Sequence, residues 1–101
     1  MYIRVKKGVI DMKKNKIKYC EKLMSYSKIH YEKAMDIAEN DFFKAVKEIF
    51  LALECQFKVK ELILKENTIF FSLRQITEFA CLEQGTNEER IRNAYLHFSL
   101  F

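Results

Sequence analysis

Histidine is the side chain whose ordinary titration lies nearest neutral pH, and this chain has two, His30 and His97. His30, between Ile29 and Tyr31, reads as a surface or boundary residue without chemistry. His97 is different. It stands in the run Glu89-Arg90-Ile91-Arg92-Asn93-Ala94-Tyr95-Leu96-His97-Phe98, where polar Asn93 follows Arg92 directly and four residues separate Arg92 from His97. An imidazole takes or gives a proton at neutral pH, and a guanidinium steadies charge growing on an oxyanion. On one helix Arg92 and His97 point about 140° apart and differ by about 7.5 Å in rise, so a single straight helix cannot bring both onto one phosphate. Asn93, four residues before His97, and Arg90, seven before it, share its stripe. Two copies related by a two-fold axis would set His97 of one against Arg92 of the other. The expectation is a homodimer.

Helices must position this run. Proline is absent and glycine occurs only at Gly8 and Gly85, so nothing within residues 9–84 forces a helix to stop. A first helix is expected from about Lys13 to Glu39, with Ile17, Cys20, Met24, Ser27, Tyr31, Ala34 and Ala38 as its apolar seam. Asn40-Asp41 supplies a left-handed stop and then an N-cap. The second helix, about Phe42 to Lys65, carries Phe43, Phe50 and Phe57 at heptad spacing. Its apolar arc is so wide that it must lie centrally or face a second subunit. Glu66-Asn67-Thr68 breaks the pattern, and a third helix is expected from about Ile69 to Gln84, ending at Gly85. Thr86-x-x-Glu89 reads as a capping box for a fourth helix burying Ile91, Ala94, Tyr95 and Phe98. The fold class is all-α: an up-and-down four-helix bundle over residues 13–101, preceded by a basic arm over residues 1–12 that could form a short extended segment and is expected to be ordered only where a neighbour holds it.

The 101 residues are 50% hydrophobic and 32% charged, which suits one globular domain. Surface scaling predicts about 6,000 Å² exposed when folded. The net charge of +4 is uneven: residues 1–22 hold eight basic groups against Asp11 and Glu21, a local +6 that leaves −2 for the remainder. Lys13, Lys14, Lys16 and Lys18 are thus candidate contacts for an RNA or nucleotide phosphate, read without sequence preference. Tyr19, Tyr26 and Tyr31 lie near them but read as core boundary before base stacking. The longest uncharged stretch, Asn93 to Phe101, is too short to span a bilayer, and no secretory leader is evident, so a cytoplasmic location without membrane contact is expected. Cys20, Cys55 and Cys81 show neither disulfide nor zinc spacing and read as small hydrophobes, and no cofactor or metal motif occurs.

The Arg92-Asn93-x-x-x-His97 run resembles the signature of the HEPN superfamily, helical domains marked by R-x(4–6)-H with a polar residue after the Arg. Over residues 31–101 the chain is most similar to the archaeal PaREP1-like group within it. The similarity rests on Asp41-Phe42-Phe43-Lys44-Ala45, Phe50-Leu51-Ala52, Lys58-Val59 and the tail Ala94-Tyr95-Leu96-His97-Phe98-Ser99-Leu100-Phe101. Departures are Ser99 in place of the usual Asn and the absence of tryptophan. The resemblance implies a metal-independent ribonuclease of toxin or defence type. In it His97 would serve as general acid or base at the ribose 2′-hydroxyl and the leaving 5′-oxygen. Arg92 would stabilise the phosphate, Asn93 would orient it and Arg90 would assist. The alternative it implies is a non-catalytic module binding nucleotide, RNA or a protein such as a nucleotidyltransferase subunit.

Overall fold

A computed structural model describes residues 2–65 and 71–100, with side chains from Lys14 onwards. Four helices follow in order: α1 (Tyr2–Ile37), α2 (Phe42–Leu64), α3 (Leu73–Leu82) and α4 (Asn87–Ser99), with no strand among the described residues. Antiparallel α1 and α2 form the frame. α2 lies centrally and touches all three other helices, which accounts for its wide apolar arc. α3 returns along α2 and α4 runs back beside both, which gives the expected up-and-down order.

The helix ends follow local chemistry. The N–H groups of Asn40 and Asp41 both reach the Ile37 carbonyl, at 3.1 and 2.8 Å, and the Asp41 carboxylate accepts the Lys44 N–H at 3.2 Å as the N-cap of α2. Asn40 is not left-handed as expected; among described non-glycine residues only Lys65, the C-cap of α2, has a positive φ, of 54°. α3 starts at Leu73, later than expected. Ser72 caps it through a reciprocal box, its hydroxyl accepting the Gln75 N–H while the Gln75 side chain accepts the Ser72 N–H. The expected break at Glu66-Asn67-Thr68 and the start at Ile69 lie outside the described residues. α3 ends at Leu82, and Gly85 makes the following turn at φ 111°, a conformation open mainly to glycine. Thr86 then caps α4 by accepting the Glu89 N–H at 3.2 Å.

Two expectations about the ends and faces are corrected. Residues 2–12, read as an extended arm, are helical and continuous with α1, which begins at Tyr2 and not near Lys13. Gly8 costs that helix about 1 kcal/mol without breaking it, and no proline intervenes. Phe43, in heptad register with Phe50 and Phe57 on the apolar arc, is 62% exposed, because the first turn of α2 lies at the bundle's end where Phe42 takes the inner position.

The core is built on alanines at the α1–α2 seam, Ala34, Ala38, Ala45 and Ala52, which let the two backbones approach closely. Val46, Ile49, Leu53 and Phe57 of α2, Ile76 of α3, and Ile91 and Phe98 of α4 fill the space beside them. Each large side chain buried there contributes about 1.5–3 kcal/mol. Two polar side chains are buried at the same seam. Ser27 donates to the Ala52 carbonyl at 2.9 Å, and the Glu48 carboxylate receives His30 Nδ1 at 2.7 Å and Lys33 Nζ at 3.5 Å. These bonds can be made in one register only, so they fix how α1 slides against α2.

Burial pushes the Glu48 carboxyl up, but the His30 hydrogen bond and the Lys33 cation outweigh it and hold it below the ordinary value. A lowered carboxyl contributes stability that is full above the unfolded value near about 4.3 and disappears as pH falls through the folded value. Glu48→Gln is therefore expected to cost about 1 kcal/mol at pH 7 and to flatten the loss of stability below about pH 4.5. Urea titrations of both proteins across that range measure it; parallel acid limbs would refute the pairing.

The molecule is long. Its radius of gyration is 17.0 Å against about 13 Å for a compact chain of this size, and its surface is 7500 Å² against the roughly 6,000 Å² expected. The physical cause is the length of α1, whose 36 residues span about 54 Å against about 35 Å for the 23 of α2, so its first turns run past the rest of the bundle. On α1 the seam residues Cys20, Ser27, Ala34 and Ala38 are buried, whereas Ile17 and Met24 are exposed. No helix among the described residues is long and apolar enough to cross a membrane.

Candidate functional site

α4 carries the residues singled out above, and its seating starts at its N-terminus. Asn87 donates to the Ala38 carbonyl at 3.3 Å and the Glu88 N–H donates to the Glu39 carboxylate at 3.1 Å, tying the first turn to the α1–α2 connection. Further along, Tyr95 packs on Tyr31 with ring centroids 4.6 Å apart and is hydrogen-bonded to Gln56. Lys60 closes the helix by donating to the Ser99 carbonyl at 2.9 Å. The inner face is thereby fixed, and the outer face follows from helical geometry.

His97 is exposed, yet its ring is held. It lies flat on Phe79 of α3, centroids 4.3 Å apart and planes 14° apart, with Phe98 edge-on at 5.0 Å. Asn93 is exposed on the same flank. Arg92 stands on the other flank, paired with Glu88 at 3.1 Å, both side chains a little under half exposed. Leu96, 52% exposed, and Leu100, 86% exposed, lie on the surface between the two flanks. The structure therefore brings Asn93 and His97 together and keeps Arg92 apart from them within one chain, in line with the helical geometry.

Arg90 is positioned differently from its expected assisting role. Its guanidinium donates to the Ala80 carbonyl at 3.1 Å, the Cys81 carbonyl at 2.9 Å and the Asn87 side chain at 3.4 Å, and it covers the Phe42 ring at 4.7 Å. The two carbonyls belong to the last turn of α3, where no intrahelical donor remains for them. Arg90 thus clamps the ends of α2, α3 and α4. Arg90→Ala is expected to lower stability by about 2 kcal/mol, a fall of roughly 8–16 °C in Tm, with little recovery in Arg90→Lys, because an ammonium cannot reproduce the planar fork. A calorimetric scan showing no change in Tm would return Arg90 to a ligand-binding role.

The lysines lie elsewhere. Ser27 meets Ala52, and Lys16 and Cys20 line one groove with Val59 and Ile63, so Lys16 and Lys18 fall opposite the last turns of α2, beyond the point where Lys60 holds the end of α4. Lys14 and Lys18 are exposed and Lys16 is half-buried, while the Lys13 side chain lies outside the described residues. The structure does not gather these lysines with His97. Among the cysteines, Cys20 is buried, Cys55 half-buried and Cys81 exposed, so only Cys20 is the buried small hydrophobe expected. Burial and the Glu54 carboxylate push the Cys55 thiol up, which makes it a poor nucleophile.

The pair of buried Glu48 and half-buried His30 has the form of a base and its orienting carboxylate, and sequence reading missed it. The partners are 18 residues apart on different helices, so only the packed seam could reveal them. Among the described residues no three histidine, cysteine, aspartate or glutamate side chains converge where a metal ion could be held. Compared with family models, curated proteins and solved structures, the chain matches none.

Proposed function

We infer that the chain acts as a HEPN-like helical homodimer, a metal-independent ribonuclease of toxin or defence type, with a composite site of Arg92, Asn93 and His97 where two α4 helices meet. The observation that supports this reading most is the outer face of α4, where the exposed pair Leu96 and Leu100 lies between the Arg92 flank and the His97 flank. A second α4 covering that strip brings both flanks to the joint. His97 then takes the proton of a ribose 2′-hydroxyl, the 2′-oxygen bonds to phosphorus, and the bond from phosphorus to the 5′-oxygen breaks. An imidazolium returns a proton to that leaving oxygen. Stacking on Phe79 leaves the His97 ring few orientations, which suits proton transfer in one direction. Arg92 exchanges Glu88 for the phosphate at small cost, since such an exposed i, i+4 pair is worth only about 0.3–0.5 kcal/mol.

Sedimentation equilibrium tests the assembly: a dimer is expected for the wild type and a monomer without nuclease activity for Leu96→Glu. An active monomer would rule out the composite site. The second reading, a non-catalytic module binding nucleotide, RNA or protein, is favoured by the separation of the lysines from His97. It predicts RNA binding without cleavage.

A further inference from the structure

We propose that His30 is a phosphoryl acceptor: its Nε2 takes a phosphoryl group from an activated donor, a phosphoramidate or an acyl phosphate, with Glu48 as orienting carboxylate and Lys33 as the cation that meets the incoming group. The site lies on the α1–α2 seam, apart from the α4 residues, and does not rest on the ribonuclease reading.

The seam itself builds the site. Ser27 and Ala34, one turn before and after His30, are buried, and so are Ala45 and Ala52, one turn either side of Glu48. Small residues at those four places let the two backbones close until His30 Nδ1 stands 2.7 Å from the Glu48 carboxylate. Glu48 ends up sealed, while 30% of the His30 side chain remains open to solvent. Lys33, one turn further along α1, puts its Nζ 3.5 Å from the second carboxylate oxygen and is itself more than half exposed.

That arrangement decides which nitrogen reacts. Burial works against the charge, yet His30 and Lys33 hold the Glu48 carboxyl below its ordinary value, so at neutral pH it is ionised and can only accept a hydrogen bond. Nδ1 must therefore carry the proton of the neutral ring, which leaves the lone pair on Nε2. Glu48 is the only hydrogen-bond partner of His30 among the described residues, so no other side chain occupies that lone pair.

Attack by Nε2 on phosphorus forms a nitrogen–phosphorus bond and breaks the donor's own bond to phosphorus, whose electron pair leaves with the donor's nitrogen or carboxylate oxygen. The ring keeps its Nδ1 proton and becomes cationic, and Glu48 balances that charge without a proton having to depart. The phosphoryl group brings up to about two negative charges to the surface, and Lys33 can turn from Glu48 to meet them. Neither of the two cavities described is lined by His30, which suits transfer of a group to a surface ring better than turnover of an enclosed small molecule.

Incubating the full chain with phosphoramidate, and separately with acetyl phosphate, tests this by intact mass and fragment spectra. One phosphoryl group on His30 is expected from at least one donor, stable in alkali and lost in acid as a nitrogen–phosphorus bond is, and the donor that works identifies the source. Uptake is expected to be at least about tenfold faster than on the same chain unfolded in urea, because only the folded seam fixes the ring. Glu48→Gln, which keeps an acceptor but loses the charge, and Lys33→Met are each expected to slow uptake by about tenfold or more with far-ultraviolet dichroism unchanged, and Lys33→Arg to restore it. Nitrogen magnetic resonance of the untreated wild type reads the tautomer directly, and a proton on Nδ1 of His30 is expected at a pH where the ring is neutral. No uptake from either donor would overturn the proposal, as would a group carried by His97 or a lysine in place of His30. So would a rate equal to that of the unfolded chain, indifference to both Glu48→Gln and Lys33→Met, or a neutral ring protonated on Nε2.

Discussion

Replacing His97 with alanine is expected to lower cleavage of single-stranded RNA by the purified protein by about 10²–10⁴-fold, the usual worth of a positioned proton transfer. The loss is expected without unfolding, because His97 is exposed and its stacking on Phe79 is worth only about 0.5–1.5 kcal/mol. Arg92→Ala is expected to lose a similar factor, since it removes the cation facing the phosphate. The decisive measurement mixes the two inactive variants. If His97 of one subunit works with Arg92 of the other, a mixed dimer holds one intact site and one doubly damaged site. Random re-assortment then restores about a quarter of wild-type activity. No recovery on mixing would confine the site to a single chain, which the opposite flanks of Arg92 and His97 on α4 make hard to build. Absence of cleavage by the wild type, with RNA still bound, would favour the non-catalytic reading.

Ile49→Ala is expected to have the largest effect on stability, about 2–5 kcal/mol. Ile49 is fully buried on α2, which packs against α1, α3 and α4, so the void it leaves cannot be closed by moving one neighbour. For a domain of this size each kcal/mol corresponds to roughly 4–8 °C, so a fall in Tm of about 10 °C or more follows, readable by calorimetry. Leu51→Ala, on the exposed face of the same helix, is the control and should change stability by no more than about 0.5 kcal/mol. Similar losses at both positions would mean that α2 is not the centre of the core.

Much of this architecture was legible from residue spacing. The number of helices, their order and the limits of α2 follow from Asp41, the absence of proline and the apolar stripes, because caps and periodicity are local properties. The start of α3 was not, because Ile69, Phe70 and Phe71 prolong an apolar stripe backwards and conceal the Ser72-x-x-Gln75 box. The stripe on α1 is a buried seam at Cys20, Ser27, Ala34 and Ala38 but not at Ile17 and Met24. Periodicity cannot say whether a partner is long enough to cover Ile17 and Met24, and here it is not. At the candidate site, the angular separation of Arg92 and His97 was calculable from sequence. The clamp made by Arg90 was not, since it depends on the last turn of α3 arriving beside the first turns of α4. Glu48 and His30 escaped for the same reason: a long-range pair has no spacing rule.

The four alanines between α1 and α2 have a consequence for how this protein can change over generations. At Ala34, Ala38, Ala45 and Ala52 any added carbon atom acts as a wedge between two backbones, so room alone, with no chemistry involved, holds those sites to the smallest residues. Lineages of this chain should therefore keep this quartet nearly frozen, whatever ligand each descendant comes to bind.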